Sequence, residues 1–160
     1  MVPLFKTLVR PILEYGNVIW SPRFKGLKNR IEDVQRRFTK RIIGMGELDY
    51  EERLYKSSLE YRRLRGDMIE VYKILHGLYD LKTTSHLFTL NKSSSTRGHE
   101  LKLTKYHTKS SLHANFFTNR VVSTWNNLPN SVVTAGTLNS FKNGLDKYWE
   151  HLMFSVEINM

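Results

Sequence analysis

Apolar side chains recur three or four residues apart near the start of the chain, which is the spacing of one helix face. The series over residues 3–16 is Leu4, Leu8, Ile12 and Tyr15. Pro11 lies inside this series, and proline lacks the backbone N–H that an α-helix uses and crowds the preceding turn. The pattern therefore predicts a helix that is kinked or broken near Leu8–Arg10.

A longer amphipathic helix is predicted over residues 25–43. Its apolar residues, spaced by four, three, four and four, are Leu27, Ile31, Val34, Phe38 and Ile42. We expect this stripe to be buried. Arg36 and Lys40 fall on the opposite face, and one flank carries a series of arginines, namely Arg30, Arg37 and Arg41. The helix would bury one side and present bases on the other, and Gly44 would end it.

Two further helices are predicted before residue 80. Asp49 and Glu52 resemble a capping box and start a short helix over 49–56. A long helix follows over 59–76, and Gly77 is expected to end it. The residues expected on its buried stripe are Leu64, Met68, Val71 or Tyr72, and Leu75.

The beginning of that long helix is unusually basic. Its first two turns contain Arg62, Arg63 and Arg65. Because cations at this end oppose the helix dipole, we expect an anion to offset them: Glu60, Asp67 or a bound phosphate.

The pattern changes after residue 81. Residues 91–98 predict a polar loop, and alternating apolar and polar residues at 100–106 predict a short strand or an extended segment. Helical spacing then returns with Phe117, Val121 and Trp125. Thr137 would cap a last helix with one apolar face, formed by Leu138, Phe141, Leu145 and Tyr148.

These elements predict a mainly α fold. A helical bundle at 1–80 is followed by a smaller mixed region with extended segments and two helices. We divide that region into a basic loop or extended segment at 81–113 and a C-terminal helical region at 114–152. Because each part is small for independent stability, we expect them to share packing.

Charge narrows the possible partners. The 160 residues contain 25 Lys and Arg against 15 Asp and Glu, a net charge of +10, and no cysteine. Residues 23–41 carry eight bases against two acids, and residues 82–120 carry seven against one. Two basic segments predict an anionic partner, with nucleic acid first and a membrane surface second. No apolar run approaches the ~20 residues of a membrane span, so we expect an intracellular domain outside the membrane, in nucleus or cytoplasm.

Catalytic patterns are missing from the sequence. It contains no HExxH, GxxxxGK[ST], GxGxxG or GxSxG pattern and no Asp-Asp or Asp-x-Asp pair. His107 and His113, six residues apart, are poorly spaced for zinc. The sequence therefore predicts no catalytic residue, no cofactor and no metal site.

One aromatic residue stands apart from the others. Most tyrosines lie at helical spacing beside Leu and Ile, where a place in the core is expected. Tyr106 lies among Lys105, His107 and Lys109, the pattern of a contact with single-stranded nucleic acid.

Several stretches of the chain, in this order, resemble the C-terminal part of the reverse transcriptase of LINE-type, non-LTR retrotransposons, closest to the jockey-like kind. The matching stretches, which cover most of 4–150, are FKTLVRPILEYGNVIWSP (5–22), IEDVQRRFTKRIIG (31–44), LDYEERL (48–54), RRLRGDMIEVYKILHG (62–77), STRGHELKL (95–103), FFTNRVVSTWNNLPNSVV (116–133) and TLNSFKNGLDKYW (137–149).

The resemblance implies the thumb and the region after it, without the catalytic palm and fingers. The palm's (F/Y)-x-D-D box would precede residue 1. A thumb grips the template–primer backbone, so the QRRFTKR stretch implies backbone contact by Arg36, Arg37, Lys40 and Arg41. The RGH stretch implies a role for Arg97 and His99. A structural corner is implied for Trp125, Asn126, Leu128 and Pro129.

Two functional interpretations follow, and a third, an active polymerase or nuclease, would need a carboxylate cluster that the sequence does not offer. The first is sequence-tolerant binding of RNA, DNA or an RNA–DNA hybrid, with the palm and fingers of a parent polymerase as a further partner. The expected binding residues are Arg30, Arg36, Arg37, Lys40, Arg41, Arg62, Arg63, Arg97, Lys102 and Lys105. The second is a catalytically inert helical interaction domain or decayed fragment. Its exposed apolar patch of Leu4, Phe5, Leu8, Val9 and Ile12 would cause self-association.

Overall fold

The computed structural model describes residues 2–42, 58–91 and 98–157, with the backbone alone given for residue 2 and for 151–157. In these ranges the chain is mainly helical, which confirms the expected fold class. The elements are α1 (Val2–Leu4), a π-helical segment (Phe5–Val9), α2 (Arg10–Glu14), α3 (Lys25–Lys40), α4 (Leu59–Leu75), α5 (Leu81–Thr84), α6 (Ser111–Ala114), α7 (Phe117–Asn126), α8 (Asn130–Val133) and α9 (Leu138–Glu157). The short helix expected over 49–56 lies outside the described residues.

Pro11 changes the helix that contains it. The turn before it widens into the π-helical segment, and the backbone N–H of Arg10 donates to the carbonyl of Phe5, five residues back. Pro11 then takes its place at the beginning of α2, where a missing N–H costs nothing. The kink or break expected near Leu8–Arg10 is thus replaced by a π-helical turn in a helix that continues to Glu14.

The expected orientation of α3 is only partly right, since Ile31, Phe38 and Ile42 of the apolar stripe are half-buried. Its buried residues are Glu32, Gln35 and Thr39, whereas Leu27 and Val34 of the apolar stripe are 46% and 40% exposed. The reason is a contact distant in sequence, since both carboxylate oxygens of Glu32 accept the N–H of Leu59, each at 3.1 Å. Holding the first N–H of α4 requires Glu32 to face inward, and the whole helix turns with it.

Two arginines at the start of α4 connect it to α2. Arg62 forms an ion pair with Glu14 of α2, and Arg63 donates to the carbonyl of Leu13 at 3.0 Å. The anions at the start of α4 are therefore Glu14 and Glu32 from other elements and Glu60 in its own first turn. Of the anions expected there, Glu60 pairs with Lys28 and Asp67 pairs with Arg120.

Contacts divide the chain into two compact units, 1–66 and 67–160, and the division falls inside α4. It comes before the boundary expected after residue 80, because the second half of α4 contributes to the core of the second unit. That core contains Met68, Val71, Tyr72, Leu103, Val121, Val122, Trp125, Leu128, Val132, Val133, Phe141 and Leu145. Leu64, expected on the buried stripe, is 38% exposed.

The C-terminal end of α4 and the N-terminal end of α9 lie where the sequence predicted them. The N–H of Leu78 donates to the carbonyl of Lys73, and Gly77 has a φ of 67°, the left-handed turn that glycine permits after a helix. Thr137 accepts the N–H of Ser140 at 3.1 Å. Gly77 therefore ends α4, and Thr137 caps α9 as expected.

Of the segment expected to be a strand or extended, residues 100 and 101 form a turn, and residues 102–104 pair with 89–91 without forming a strand. A single antiparallel bridge joins Leu90 and Leu103. The amide side chain of Asn126 contacts both backbone groups of Leu103, accepting from its N–H and donating to its carbonyl at 2.8 Å each. An asparagine on α7 thus substitutes for a neighbouring strand.

Candidate nucleic-acid interface

The outward face of α3 is defined by three arginines, Arg30, Arg37 and Arg41, all exposed. Their spacing of seven and four residues places them on one side of a helix that turns about 100° per residue. That side is opposite the buried Glu32, Gln35 and Thr39. The arginines expected on a flank therefore occupy the centre of the solvent face, which we call the α3 basic face.

Two more predicted cations lie beside that face. Lys40 is exposed near the end of α3, and Arg36 is half-buried and pairs with Asp33 at 3.2 Å. Arg37 and Lys40 occupy the last turn, where cations also stabilise the helix dipole. Lys40 therefore adds to the α3 basic face, while Arg36 shares its charge with an acid on the same helix.

Arg62 and Arg63 contact other residues of the first unit. Arg62 is held by Glu14. Arg63 is only 7% exposed, and its guanidinium lies over the ring of Trp20 at 5.6 Å. A cation held in this way stabilises the fold, and the α3 basic face does not include these two.

The remaining predicted binding residues belong to the second unit. Lys105 is exposed and donates to the hydroxyl of Ser123 at 2.8 Å. Lys102 is half-buried, and its side chain passes so close to Gly98 that a Cβ there would meet its Cε at 2.6 Å. Arg97 lies outside the described residues. Of these residues, Lys105 is therefore the more accessible cation, and Lys102 is partly covered.

A cavity of about 300 Å³ lies at the start of α3. It is lined by three cations that were not among the predicted binding residues. Its lining is Arg23, Lys25, Lys28, Asn29 and Glu60. Lys28 pairs with Glu60 at 2.9 Å, and α3 has no acidic residue in its first turn and no side-chain cap. The sequence signal was a helix start with lysines where acids are usual. A small anion is the kind of ligand this lining would favour.

His99 acts on the backbone. It is 3% exposed, and its Nε2 lies 3.1 Å from the carbonyl of Trp125, so Nε2 carries the proton and donates. Burial lowers the pKa of His99 below its ordinary value of 6.5, which keeps the ring neutral. The indole N–H of Trp125 donates in turn to the carbonyl of Leu101 at 2.8 Å. These contacts place His99 in the packing of the second unit.

The described part of the chain holds no group of three or more His, Asp or Glu side chains that could bind a metal ion. None of the helices described is both long enough and apolar enough to cross a membrane. Comparison of the chain with protein-family models, with curated proteins and with solved structures finds no match.

Proposed function

We propose that this chain is a sequence-tolerant nucleic-acid-binding module that contacts the sugar–phosphate backbone through the α3 basic face. The observation that carries the proposal is the exposure of Arg30, Arg37 and Arg41 on one side of a single helix, opposite its buried residues. A backbone contact needs rigidly placed cations and carries no base information. This arrangement supplies such cations on one side of a rigid element.

The dimensions of the face suit a polyanion. An α-helix rises about 1.5 Å per residue, so Arg30 and Arg41 are separated by about 16 Å along the axis. One strand of duplex DNA carries about five phosphates over that length. Arginine suits this contact because its guanidinium stays charged and can form paired hydrogen bonds to phosphate oxygens.

The resemblance to reverse transcriptases gives the proposal a more specific form. We infer that the chain corresponds to the thumb and post-thumb part of a LINE-type polymerase and contacts template–primer as RNA, DNA or a hybrid. The 160 residues contain no (F/Y)-x-D-D box, so in this proposal polymerisation belongs to a palm outside them. The module itself would bind without catalysing.

The test is a titration of a fluorescent RNA–DNA hybrid across a salt series. We compare the wild-type chain with a face variant, Arg30→Ala/Arg37→Ala/Lys40→Ala/Arg41→Ala. A matched control removes the same charge elsewhere, Lys6→Ala/Lys82→Ala/Lys142→Ala/Lys147→Ala. We expect the face variant to bind more weakly and to flatten the log–log salt slope by about 0.9 for each phosphate that it no longer neutralises.

The control decides the meaning of that result. If both variants lose affinity equally, the overall charge drives binding and the α3 basic face is not the interface. Binding that survives in the face variant with an unchanged salt slope would also contradict the proposal.

A second candidate function is favoured by a different observation. Among the described residues of the first unit, the buried apolar side chains are Phe5 and Leu59, and many large apolar ones are exposed. Of the expected apolar patch, Leu4, Leu8 and Ile12 are 61%, 62% and 74% exposed. Phe5 does not belong to the exposed patch, because its side chain is buried and its ring stacks on Phe38 with centroids 3.9 Å apart. Such a surface supports a protein-interaction domain.

A further inference from the structure

Tyr106 is held at two points while its ring remains accessible. The extended segment before it is paired with residues 89–91, since the N–H of Thr104 donates to the carbonyl of Thr89 at 2.8 Å and Leu103 bridges to Leu90. The hydroxyl of Tyr106 then donates to Oγ1 of Thr89 at 3.0 Å. Even so, Tyr106 is 58% exposed. The paired backbone two residues earlier and the bond at the hydroxyl therefore orient the ring, most of which faces solvent.

This tyrosine contributes little to the core of its unit. Tyr72, by contrast, is 2% exposed, stacks on Phe141 with centroids 4.4 Å apart and belongs to the core. The bond from Tyr106 to Thr89 is exposed to solvent, and an exposed hydrogen bond adds little stability. Packing alone therefore does not account for a large aromatic ring at this position.

The surroundings of Tyr106 in sequence are basic. Lys105 and Lys109 are exposed on its own segment, and Lys105 is oriented by its bond to Ser123. After Glu100 the sequence contains no acidic residue until Asp146. A phosphate near Tyr106 would meet Lys105 and Lys109 on residues 101–109, which contain no carboxylate.

We propose that Tyr106 is a stacking platform for an unpaired base, with Lys105 and Lys109 beside it for the adjoining phosphates. This inference rests on the proposed function, because it assumes that the chain binds nucleic acid, and it names single strands as the ligand of the second unit. Base–aromatic stacking tolerates any base, since each has a π face. Duplex DNA and RNA keep their bases stacked internally and offer this ring no partner.

The test compares one oligonucleotide as a single strand and as a duplex, using the full chain with three substitutions of Tyr106. Tyr106→Ala should weaken binding of the single strand about tenfold and change duplex binding less than about twofold. Tyr106→Phe and Tyr106→Trp keep the stacking surface and should bind the single strand within about threefold of wild type. The matched control is Tyr15→Ala, which removes a tyrosine 81% exposed in the first unit and should change neither affinity.

The outcomes separate this inference from the proposed function. Tyr106→Ala behaving like Tyr15→Ala overturns the stacking platform while leaving the α3 basic face untouched. Loss of single-strand binding in Tyr106→Phe as large as in Tyr106→Ala overturns it as well, because the hydroxyl then matters and the ring does not. Conversely, an α3 face variant that keeps its hybrid binding overturns the proposed function whatever Tyr106 does. Thermal melting of each variant shows that the comparison is made between folded chains.

Discussion

At the scale of single residues, polar side chains in the second unit serve mainly as partners for the backbone. His99 donates to the carbonyl of Trp125, and Asn126 satisfies both backbone groups of Leu103. The Trp125 carbonyl also accepts the backbone N–H of Leu128, whereas the two backbone groups of Leu103 depend on Asn126, and leaving such a buried group without a hydrogen bond costs about 1–3 kcal/mol. His99 and Asn126 therefore hold the segment around Leu103 against α7.

His99 makes the stability of the fold depend on pH. Its pKa is lowered by burial, and Lys102 nearby lowers it further. The unfolded chain therefore binds a proton at a higher pH than the folded chain does. Stability is complete above the ordinary pKa of 6.5 and falls as the pH drops below it, by at most about 1.4 kcal/mol per pH unit.

Denaturant unfolding between pH 7.5 and 5.5 measures this dependence. The variant His99→Gln keeps a donor for the Trp125 carbonyl and does not titrate, so its stability should change less over the same range. Parallel curves for the two proteins would show that His99 is not the group responsible.

At the scale of elements, one buried ion pair joins α4 to α7. Arg120 contacts Asp67 through two hydrogen bonds, of 3.1 and 2.9 Å, and the two side chains are only 14% and 7% exposed. By contrast, the pair between Arg36 and Asp33 within α3 is 41% and 44% exposed. Removing one member of a buried pair leaves an uncompensated charge, whereas an exposed charge returns to water.

These two pairs provide a matched test. Asp67→Ala should reduce the free energy of unfolding by about 3 kcal/mol or more, and Asp33→Ala by less than about 1 kcal/mol. Equal losses in chemical denaturation would mean that the Asp67–Arg120 pair does not join the two helices as the distances indicate.

At the scale of the whole molecule, two kinds of surface are described in one chain of net charge +10. The α3 basic face belongs to the first unit, as do the exposed Leu4, Leu8 and Ile12. Salt affects the two in opposite directions, because it screens contacts between charges and sulfate strengthens association through apolar surface. The two candidate functions can therefore be separated in one titration.

The interaction candidate predicts self-association that increases with protein concentration and with sodium sulfate. Sedimentation velocity measures it, and Leu4→Ser/Leu8→Ser/Ile12→Ser should shift the chain toward monomer. Lys6→Ser, in the same segment, is the control and should leave the association unchanged. A wild-type chain that remains monomeric across the sulfate series would eliminate this candidate.

Helix periodicity was a reliable guide to the buried faces of α7 and α9. The stripes on α7 and α9 are buried as expected, with Val121, Trp125, Phe141 and Leu145 in the core. Pro11, Gly77 and Thr137 mark their helix boundaries correctly, because each acts on the backbone of its own turn. The sequence also predicted an extended segment before Tyr106, although not its partners, residues 89–91 and Asn126.

The order of residues is enough to locate α3 and to place Arg30, Arg37 and Arg41 on one side of it, because spacing along a helix is a local property. Which side faces inward depends on contacts that form when distant parts of the chain meet. Glu32 reaches the N–H of Leu59, and that contact turns Leu27 and Val34 outward with the arginines. The tertiary structure also assigned Arg62, Arg63 and His99 to internal contacts, since Glu14, Leu13 and Trp125 meet them only after the chain has folded.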